Sequence, residues 1–460
     1  MANVMEKEME KNEAGKVKAP SLAGTFYTAN KEDLADQMEY FAAESKNYYN
    51  TPTRAVIVPH AGLVFSGRLA YEGINQLDKN IKNIFIIAPS HKVAFDGIAV
   101  SSYNALKTPI GQSYIHHDLT QEIINKFGAK VNDETFESEH SLEVELPIIQ
   151  SLFKHATIVP IMVGKDSPAV IDQIISEYYR DEKNGFIISS DLSHFLTDEE
   201  AKKLDSETAQ MIETGDIRQF RYEQACGAIG IAGLVSFANK NNYSLIRIDM
   251  TNSSEASEDT SRVVGYGSWF LYEGSKFDYI EKNYKKLIPQ LCKIVLKSTF
   301  DKGQVTIQYP QILDENGACF VTLEKDGKLR GCIGSIVAHR PLVTDLVENT
   351  RNAAFNDKRF NPVTADEIDS LKVNVSILTP AYKIEFENEE DLLNKITPNK
   401  DGIIIIDGEH QGVYLPSVWE EIPDKKEFLN SLKEKAGLEK DYWSNDLKAY
   451  RFETIYLKEE

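Results

Sequence analysis

Three histidines close short apolar runs in the first half of the chain. The runs read Arg54-Ala-Val-Ile-Val-Pro-His60, Asn83-Ile-Phe-Ile-Ile-Ala-Pro-Ser-His91 and Phe186-Ile-Ile-Ser-Ser-Asp-Leu-Ser-His194. Imidazole is a common ligand for divalent metals, and three on one rim would hold iron(II) or zinc with a position left open for substrate. Carboxylates stand close by in sequence. Asp191 can orient an imidazole, or simply cap a helix. His140 and Glu143, in Ser138-Glu-His-Ser-Leu-Glu-Val-Glu-Leu-Pro147, share a face if a helix starts there, and are candidate acid/base groups pointing at the same rim. Glu255, Glu258 and Asp259 lie in a polar loop, and one of them can complete a His/His/carboxylate set.

Those side chains need a rim to stand on. Each histidine-ended core is short, β-branched or aromatic and bounded by turn residues, the pattern of a strand buried on both faces. The intervening segments read as helices, so the strands run parallel and bring their carboxyl ends to one edge, where ligands bind in open α/β sheets. With the runs Thr157–Val163, Ser244–Met250 and Val263–Tyr272, six or more strands alternate with helices. This predicts a three-layer α/β domain with a mainly parallel sheet over 19–275.

A smaller α+β domain is expected over 276–460, where strand pairs and dipeptide turns replace the alternation. Its clearest signal is Cys319-Phe-Val-Thr-Leu-Glu-Lys-Asp-Gly-Lys-Leu-Arg-Gly-Cys-Ile333, a hairpin turning at Asp-Gly. Simple pairing across that turn puts Cys319 and Cys332 on one face, diagonal to each other. Arg330 and Cys332 form a candidate second site, a thiol whose pKa a neighbouring cation could lower.

Composition narrows the function classes. The 460 residues carry 71 acidic against 51 basic side chains, a formal charge of −20. Such a chain lacks the basic surplus for nucleic-acid binding and is repelled by anionic membranes. No apolar run is long enough to span a bilayer. Residues 1–18 read as a disordered leader without the apolar core of a secretory signal. Four cysteines without a CxxC pair argue against a disulfide scaffold and for the cytoplasm.

Five segments, Ala23-Gly-Thr-Phe-Tyr27, Val58-Pro-His-Ala-Gly-Leu-Val-Phe-Ser-Gly67, Ala88-Pro-Ser-His91, Glu139-His-Ser-Leu-Glu-Val-Glu-Leu-Pro147 and Ser189-Ser-Asp-Leu-Ser-His194, make positions 20–272 resemble the Memo family, relatives of LigB-type class III extradiol dioxygenases. Leu329-Arg-Gly-Cys-Ile-Gly334, Asn352-Ala-Ala-Phe-Asn-Asp-Lys-Arg-Phe360, Tyr414-Leu-Pro416 and Lys435-Ala-Gly437 make the remainder resemble the AMMECR-type family. A chain joining both looks like a fusion of the A and B components of the AmmeMemoRadiSam system. That resemblance implies a radical-SAM partner protein and a metal-dependent, dioxygenase-like enzyme acting on a small oxygenated substrate. It implies His60 and His91 as two ligands of a divalent metal, with Fe(II) favoured and Zn or Cu as the other candidates. The third ligand is a cysteine in metal-binding animal members and a glutamate in the dioxygenases. Here the corresponding loop has no cysteine, which leaves His194 or Glu255. The rival reading is a non-catalytic scaffold that docks a peptide or the radical-SAM partner.

Overall fold

The computed structural model describes residues 15–45, 51–166, 168–300 and 308–459, so most of the expected leader lies outside it. The chain forms two compact units, one ending at Lys276 and the other beginning at Phe277. Both contain mixed α/β structure. None of the described helices is long and apolar enough to cross a membrane.

In chain order the first unit contains β1 (Val17–Lys18), α1 (Lys31–Glu44), β2 (Ala55–Val58), α2 (Leu63–Asn75), β3 (Asn83–Pro89), β4 (Ile98–Val100), β5 (Ala105–Thr108), β6 (Gly111–Tyr114), α3 (His117–Phe127) and β7 (Lys130–Val131). It continues with α4 (Glu134–Glu137), α5 (His140–Glu143), α6 (Leu146–Leu152), β8 (Thr157–Val163), α7 (Pro168–Tyr178), β9 (Asn184–Ser189) and β10 (His194–Leu196). It ends with α8 (Asp198–Thr214), α9 (Ala228–Asn241), β11 (Ser244–Asn252), α10 (Ser254–Ser257) and β12 (Val263–Tyr272). A nine-stranded sheet runs β10-β12-β2-β9-β3-β8-β4-β7, with β11 beside β12. Its centre, β2-β9-β3-β8, is parallel throughout. These are the apolar runs of the sequence, and β2 and β9 are buried at every position. The hydrophobic effect needs such strands covered on both faces. Helix α2 lies so close to β2 and β12 that a Cβ on Gly73 would sit 2.3 Å from Ser268 Oγ. Helix α9 approaches β9 in the same way, at Gly230 against Ile188.

His60 and His91 lie two residues beyond the ends of β2 and β3. His194 does not stand in that row. The chain leaves β9 at Ser189, and His194 opens β10, antiparallel to β12 at the sheet edge. The next residue, Phe195, takes a left-handed backbone with φ 62°. A rim expected to carry three equivalent histidines therefore carries two.

The second unit begins within α11 (Lys276–Tyr284) and contains α12 (Leu287–Phe300), β13 (Asn316–Lys325), β14 (Lys328–Gly334), β15 (Arg340–Pro341), α13 (Leu342–Phe355) and β16 (Leu371–Leu378). Then follow β17 (Tyr382–Ile384), α14 (Glu389–Lys395), β18 (Gly402–Asp407), β19 (His410–Tyr414), α15 (Lys425–Lys435), β20 (Lys448–Phe452) and β21 (Thr454–Lys458). Two antiparallel sheets result, β14-β13-β16-β21 with β15 on β13, and β17-β20-β18-β19. They meet through Ala318, Leu378, Ile404 and Phe452, with Phe320 packed alongside.

The β13–β14 hairpin turns at Asp326 and Gly327, both with positive φ, as a two-residue turn requires. Its register then slips. Glu324 faces Leu329 but Leu323 faces Gly331, so Arg330 is an inserted residue. A bulge of this kind turns every later side chain to the opposite face. Cys332 consequently faces Thr322 on the half-exposed side, while Cys319 is buried against Asn349. The two cysteines expected on one face are on opposite faces. Gly331 packs inward, where a Cβ would lie 2.1 Å from the Ala353 carbonyl oxygen. Backbone cannot yield as a side chain does, so Gly331→Ala is expected to cost about 2 kcal/mol or more, measured by denaturant unfolding of the second unit.

Candidate metal centre

His60, His91 and His140 converge. One ring nitrogen from each lies within 4.8 Å of one from both others. The His91 and His140 rings stack with centroids 4.6 Å apart, and His60 stands edge-on to both at 5.4 and 5.3 Å. Helix α5 brings His140 here by starting immediately after Glu139, whose side chain caps it by accepting from the Ser141 N–H at 3.1 Å.

Glu139 also sets the imidazoles. Its Oε1 accepts from His91 Nδ1 at 2.9 Å and from His140 Nδ1 at 3.1 Å, and its Oε2 accepts from the His91 N–H at 2.6 Å. Burial works to raise its pKa, but the hydrogen bonds from His140 and His91 outweigh it and hold the carboxylate ionised. An ionised carboxylate has no proton to give, so both Nδ1 atoms donate to it, which leaves each Nε2 turned away from Glu139. His60 reaches the same state by another route. Ser189 spends its one hydroxyl proton on the Ser141 carbonyl, so it accepts from His60 Nδ1 at 2.7 Å. With each Nδ1 committed, the Nε2 atoms are the positions a metal would use, that of His60 in place of its contact with Cys226 Sγ, and each Nδ1 partner is the kind of orienting group that metal-binding imidazoles use.

The electrostatics agree. His60 is 0% exposed, and burial, then repulsion from His91 and His140, holds its pKa well below the usual value. It is neutral, as a ligand must be. Asp191 accepts the His60 backbone N–H at 2.8 Å, and its other oxygen is 4.0 Å from His60 Nε2. Burial raises its pKa against that hydrogen bond. Cys226 Sγ lies 3.3 Å from His60 Nε2 and accepts from the Asp191 N–H, also at 3.3 Å. Burial and the Asp191 charge push this thiol up, so it is protonated and can donate to the imidazole. Beyond Cys226 a cavity of about 430 Å³ opens between Ser90, Val93, Phe95, Lys165 and Tyr222. That is room for a small molecule; the histidines do not line it but adjoin it through Cys226, which touches His60, and Ser90, the residue before His91.

The other expected site residues lie elsewhere. His194 donates from Nδ1 to the Leu192 carbonyl at 2.8 Å and stays near enough to repel charge on His60, but it is outside the group of three. Glu255 sits in α10, accepts from Thr251 Oγ1 at 2.7 Å and acts on Arg68. Glu143, expected to face the rim, is turned toward the start of the chain. Its carboxylate takes Lys18 Nζ at 2.6 Å, Ser21 Oγ and N–H, the Leu22 N–H and the Tyr27 hydroxyl. No acceptor position remains for acid/base work. Conversely, Glu139, Ser189 and Cys226 were not singled out in the sequence. Only the adjacency of Glu139 to His140 could have signalled one of them.

A family model described as Memo-like protein matches residues 18–270, and one described as AMMECR1 matches residues 289–457. A MEMO1 family protein of Thermoplasma volcanium is 31% identical over 263 residues, 55% of this chain and 97% of its own length. One from Aquifex aeolicus is 30% identical over 268 residues, 56% of this chain and 100% of its own. The Methanocaldococcus jannaschii protein MJ0810 is 43% identical over 173 residues, 36% of this chain and 86% of its own. Among solved structures, an uncharacterised Pyrococcus horikoshii protein shares 34% identity over 37% of this chain and 89% of its own, with a TM-score of 0.35.

Beneath the histidines lies Glu145, 0% exposed, both carboxyl oxygens without a hydrogen-bond partner. Burial pushes its pKa well above the carboxylate range, and the Asp191 charge adds to the rise. A group whose folded pKa is raised favours folding below its unfolded pKa and loses that advantage as pH rises. Glu145→Gln copies the neutral acid and removes the titration. The stability of the natural chain is therefore expected to fall relative to Glu145→Gln as pH rises from 4 through 7, by at most about 1.4 kcal/mol per pH unit. Urea unfolding across that pH range measures it.

Proposed function

This chain belongs to the Memo-like protein family, with a Memo-like domain followed by an AMMECR1 domain, and from that premise we propose that it is a metal-dependent enzyme acting on a small oxygenated substrate beside His60, His91 and His140. One observation carries the reading: three imidazoles, one buried, one half-buried and one exposed, converge with every Nδ1 committed to a fixed acceptor. Ordinary packing does not require three imidazoles to bring a ring nitrogen to within 4.8 Å of one another. The donor set fits a divalent first-row metal. Iron(II) is favoured by the dioxygenase-like resemblance, and zinc and copper also suit imidazole. The three-layer class III extradiol dioxygenase-like arrangement and a radical-SAM partner belong to the same reading.

A bound metal would act as Lewis acid toward a substrate oxygen. The chain's own groups do the rest. Glu139 and Ser189 hold the imidazole orientations. Asp191, with an oxygen 4.0 Å from His60 Nε2, is the nearest carboxyl that could take or return a proton, its pKa already raised by burial. Val93 and Phe95 line the adjoining cavity and keep water from the apolar part of a substrate.

Metal binding tests this without a substrate. In titrations of metal-free protein with zinc or cobalt, alanine at His60, His91 or His140 is expected to abolish tight binding. Glu139→Gln should weaken it by roughly 10–100-fold. His194→Ala and Glu255→Ala should leave it within a few-fold of the natural chain. Unchanged affinity in His140→Ala would sink the assignment.

A further inference from the structure

Within Leu329–Gly334 every residue but one of the conspicuous ones has a structural task. Arg330, first expected to act on Cys332, pairs instead with Glu367, Nη2 to Oε2 at 3.0 Å. Gly331 admits the Ala353 carbonyl, and Gly334 admits the Phe320 ring, which a Cβ would meet at 2.3 Å. Cys332 is left with a half-exposed thiol on the face to which the Arg330 bulge has turned it. Bulges commonly re-aim a side chain at a functional site.

One hydroxyl donor touches that sulfur, and two cations lie within electrostatic reach of it. Thr322 Oγ1 donates to Sγ at 3.3 Å. Arg359 grips Asp357 through Nε at 3.0 Å and Nη2 at 2.7 Å, and donates from Nη2 to the Cys332 carbonyl at 3.1 Å. Asp357 in turn accepts the Cys332 N–H at 2.9 Å, which fixes the guanidinium against the Cys332 backbone and within electrostatic reach of its thiol. Lys435, the last residue of α15, brings its ammonium within electrostatic reach of both Cys332 and Arg359. It rests over the Tyr414 ring at 4.7 Å. Among the described residues no carboxylate pairs with it, although the chain carries a charge of −20. An unpaired lysine beside a second cation, on so acidic a protein, is a place for an anion. Beside it is a nucleophile.

We propose that Cys332 is a thiol-exchange site for small anionic disulfides, with Lys435 and Arg359 drawing the ligand in. In the step, the Cys332 sulfur, its proton lost to solvent, attacks one sulfur of the disulfide. The original S–S bond breaks, a Cys332–S–S–R bond forms, and the other half departs as a thiolate. The protein thiol is oxidised and the ligand half reduced by the same two electrons. The remaining cysteines are poor competitors. Cys292 and Cys319 are buried, burial pushing Cys292 up to about 11 and Cys319 well above the usual thiol value. Cys226 is held by the Asp191 backbone N–H and His60, its thiol likewise pushed up by burial.

The test uses the full chain with three disulfides of different charge: dithiobis-nitrobenzoate, a dianion; dithiodipyridine, neutral; and cystamine, a dication. Modified cysteines are located by peptide mass spectrometry, with Cys332→Ser as the blank. The expected result is one thiol reacting ahead of the other three, mapped to Cys332. The rate ratio of dianion to neutral reagent should fall roughly threefold or more in Lys435→Gln, and fall likewise as salt is raised. The neutral reagent should be little affected, and cystamine should gain where the dianion loses. Lys435 is exposed and unpaired, so this variant keeps the fold even if Arg359→Gln does not. A fastest thiol other than Cys332, or a rate ratio indifferent to Lys435→Gln and to salt, overturns the proposal.

Discussion

A single carboxylate organises the candidate metal centre. Glu139 accepts from two imidazoles and from the backbone N–H groups of His91 and Ser141, so four atoms from two stretches of chain are located by one anion. A buried charge is costly unless its lone pairs are filled, and here they are. Helix α5 spans only His140–Glu143, too short to persist without tertiary support. Glu139 fastens its start to the loop after β3. Glu143 fastens its end to Lys18, Ser21, Leu22 and Tyr27, and the Ser141 hydroxyl donates to the Pro89 carbonyl. The helix acts as a staple between the opening segment and the sheet rim. His140 keeps its place because both ends are held.

The charge pattern around that staple is uneven in a useful way. Glu139 is held ionised, whereas burial drives Glu145 and Asp191 toward the neutral acid. Neighbouring carboxyls with opposite tendencies are how a site keeps one fixed anion and still has a proton to move. His60 is neutral for the same reason that Glu145 is: neither can afford a bare charge in so dry a position. A divalent cation entering here would meet a neutral His60, with one fixed negative charge on Glu139 behind His91 and His140.

How far this was legible in the sequence depended on the kind of regularity involved. The central parallel strands announced themselves, since fully buried strands leave continuous apolar runs. His60 and His91 were legible as a pair because each follows its strand by the same short step. His194 looked equivalent only because the run Ser189-Ser-Asp-Leu-Ser reads as a strand end. In space that segment crosses from β9 to the far edge of the sheet, a path no periodicity records. Glu255 drew attention through its place in a loop, and a short helix carries it off toward Arg68. His140 was noticed for acid/base chemistry; that it shares Glu139 with His91 is a relation between distant segments. The bulge at Arg330 was equally hidden, because one inserted residue alters no local composition.

The four cysteines show what such a small departure does. Cys292 and Cys319 lie in the core, where burial keeps a thiol neutral and inert. Cys226 is polar in its contacts but protonated, which suits it to cap His60 Nε2 rather than to react. Had β14 kept the simple register of its turn, Cys332 would oppose Val321 and join Cys319 inside. The extra residue turns it outward instead, beside Arg359 and Lys435, while Gly331 takes the inward place where only hydrogen fits. Bulge and glycine are thus two halves of one arrangement: the first delivers the thiol to the cations, and the second lets β14 lie against α13 with no side chain between them. Changing either disturbs both the packing of the hairpin and the side from which the sulfur can be reached.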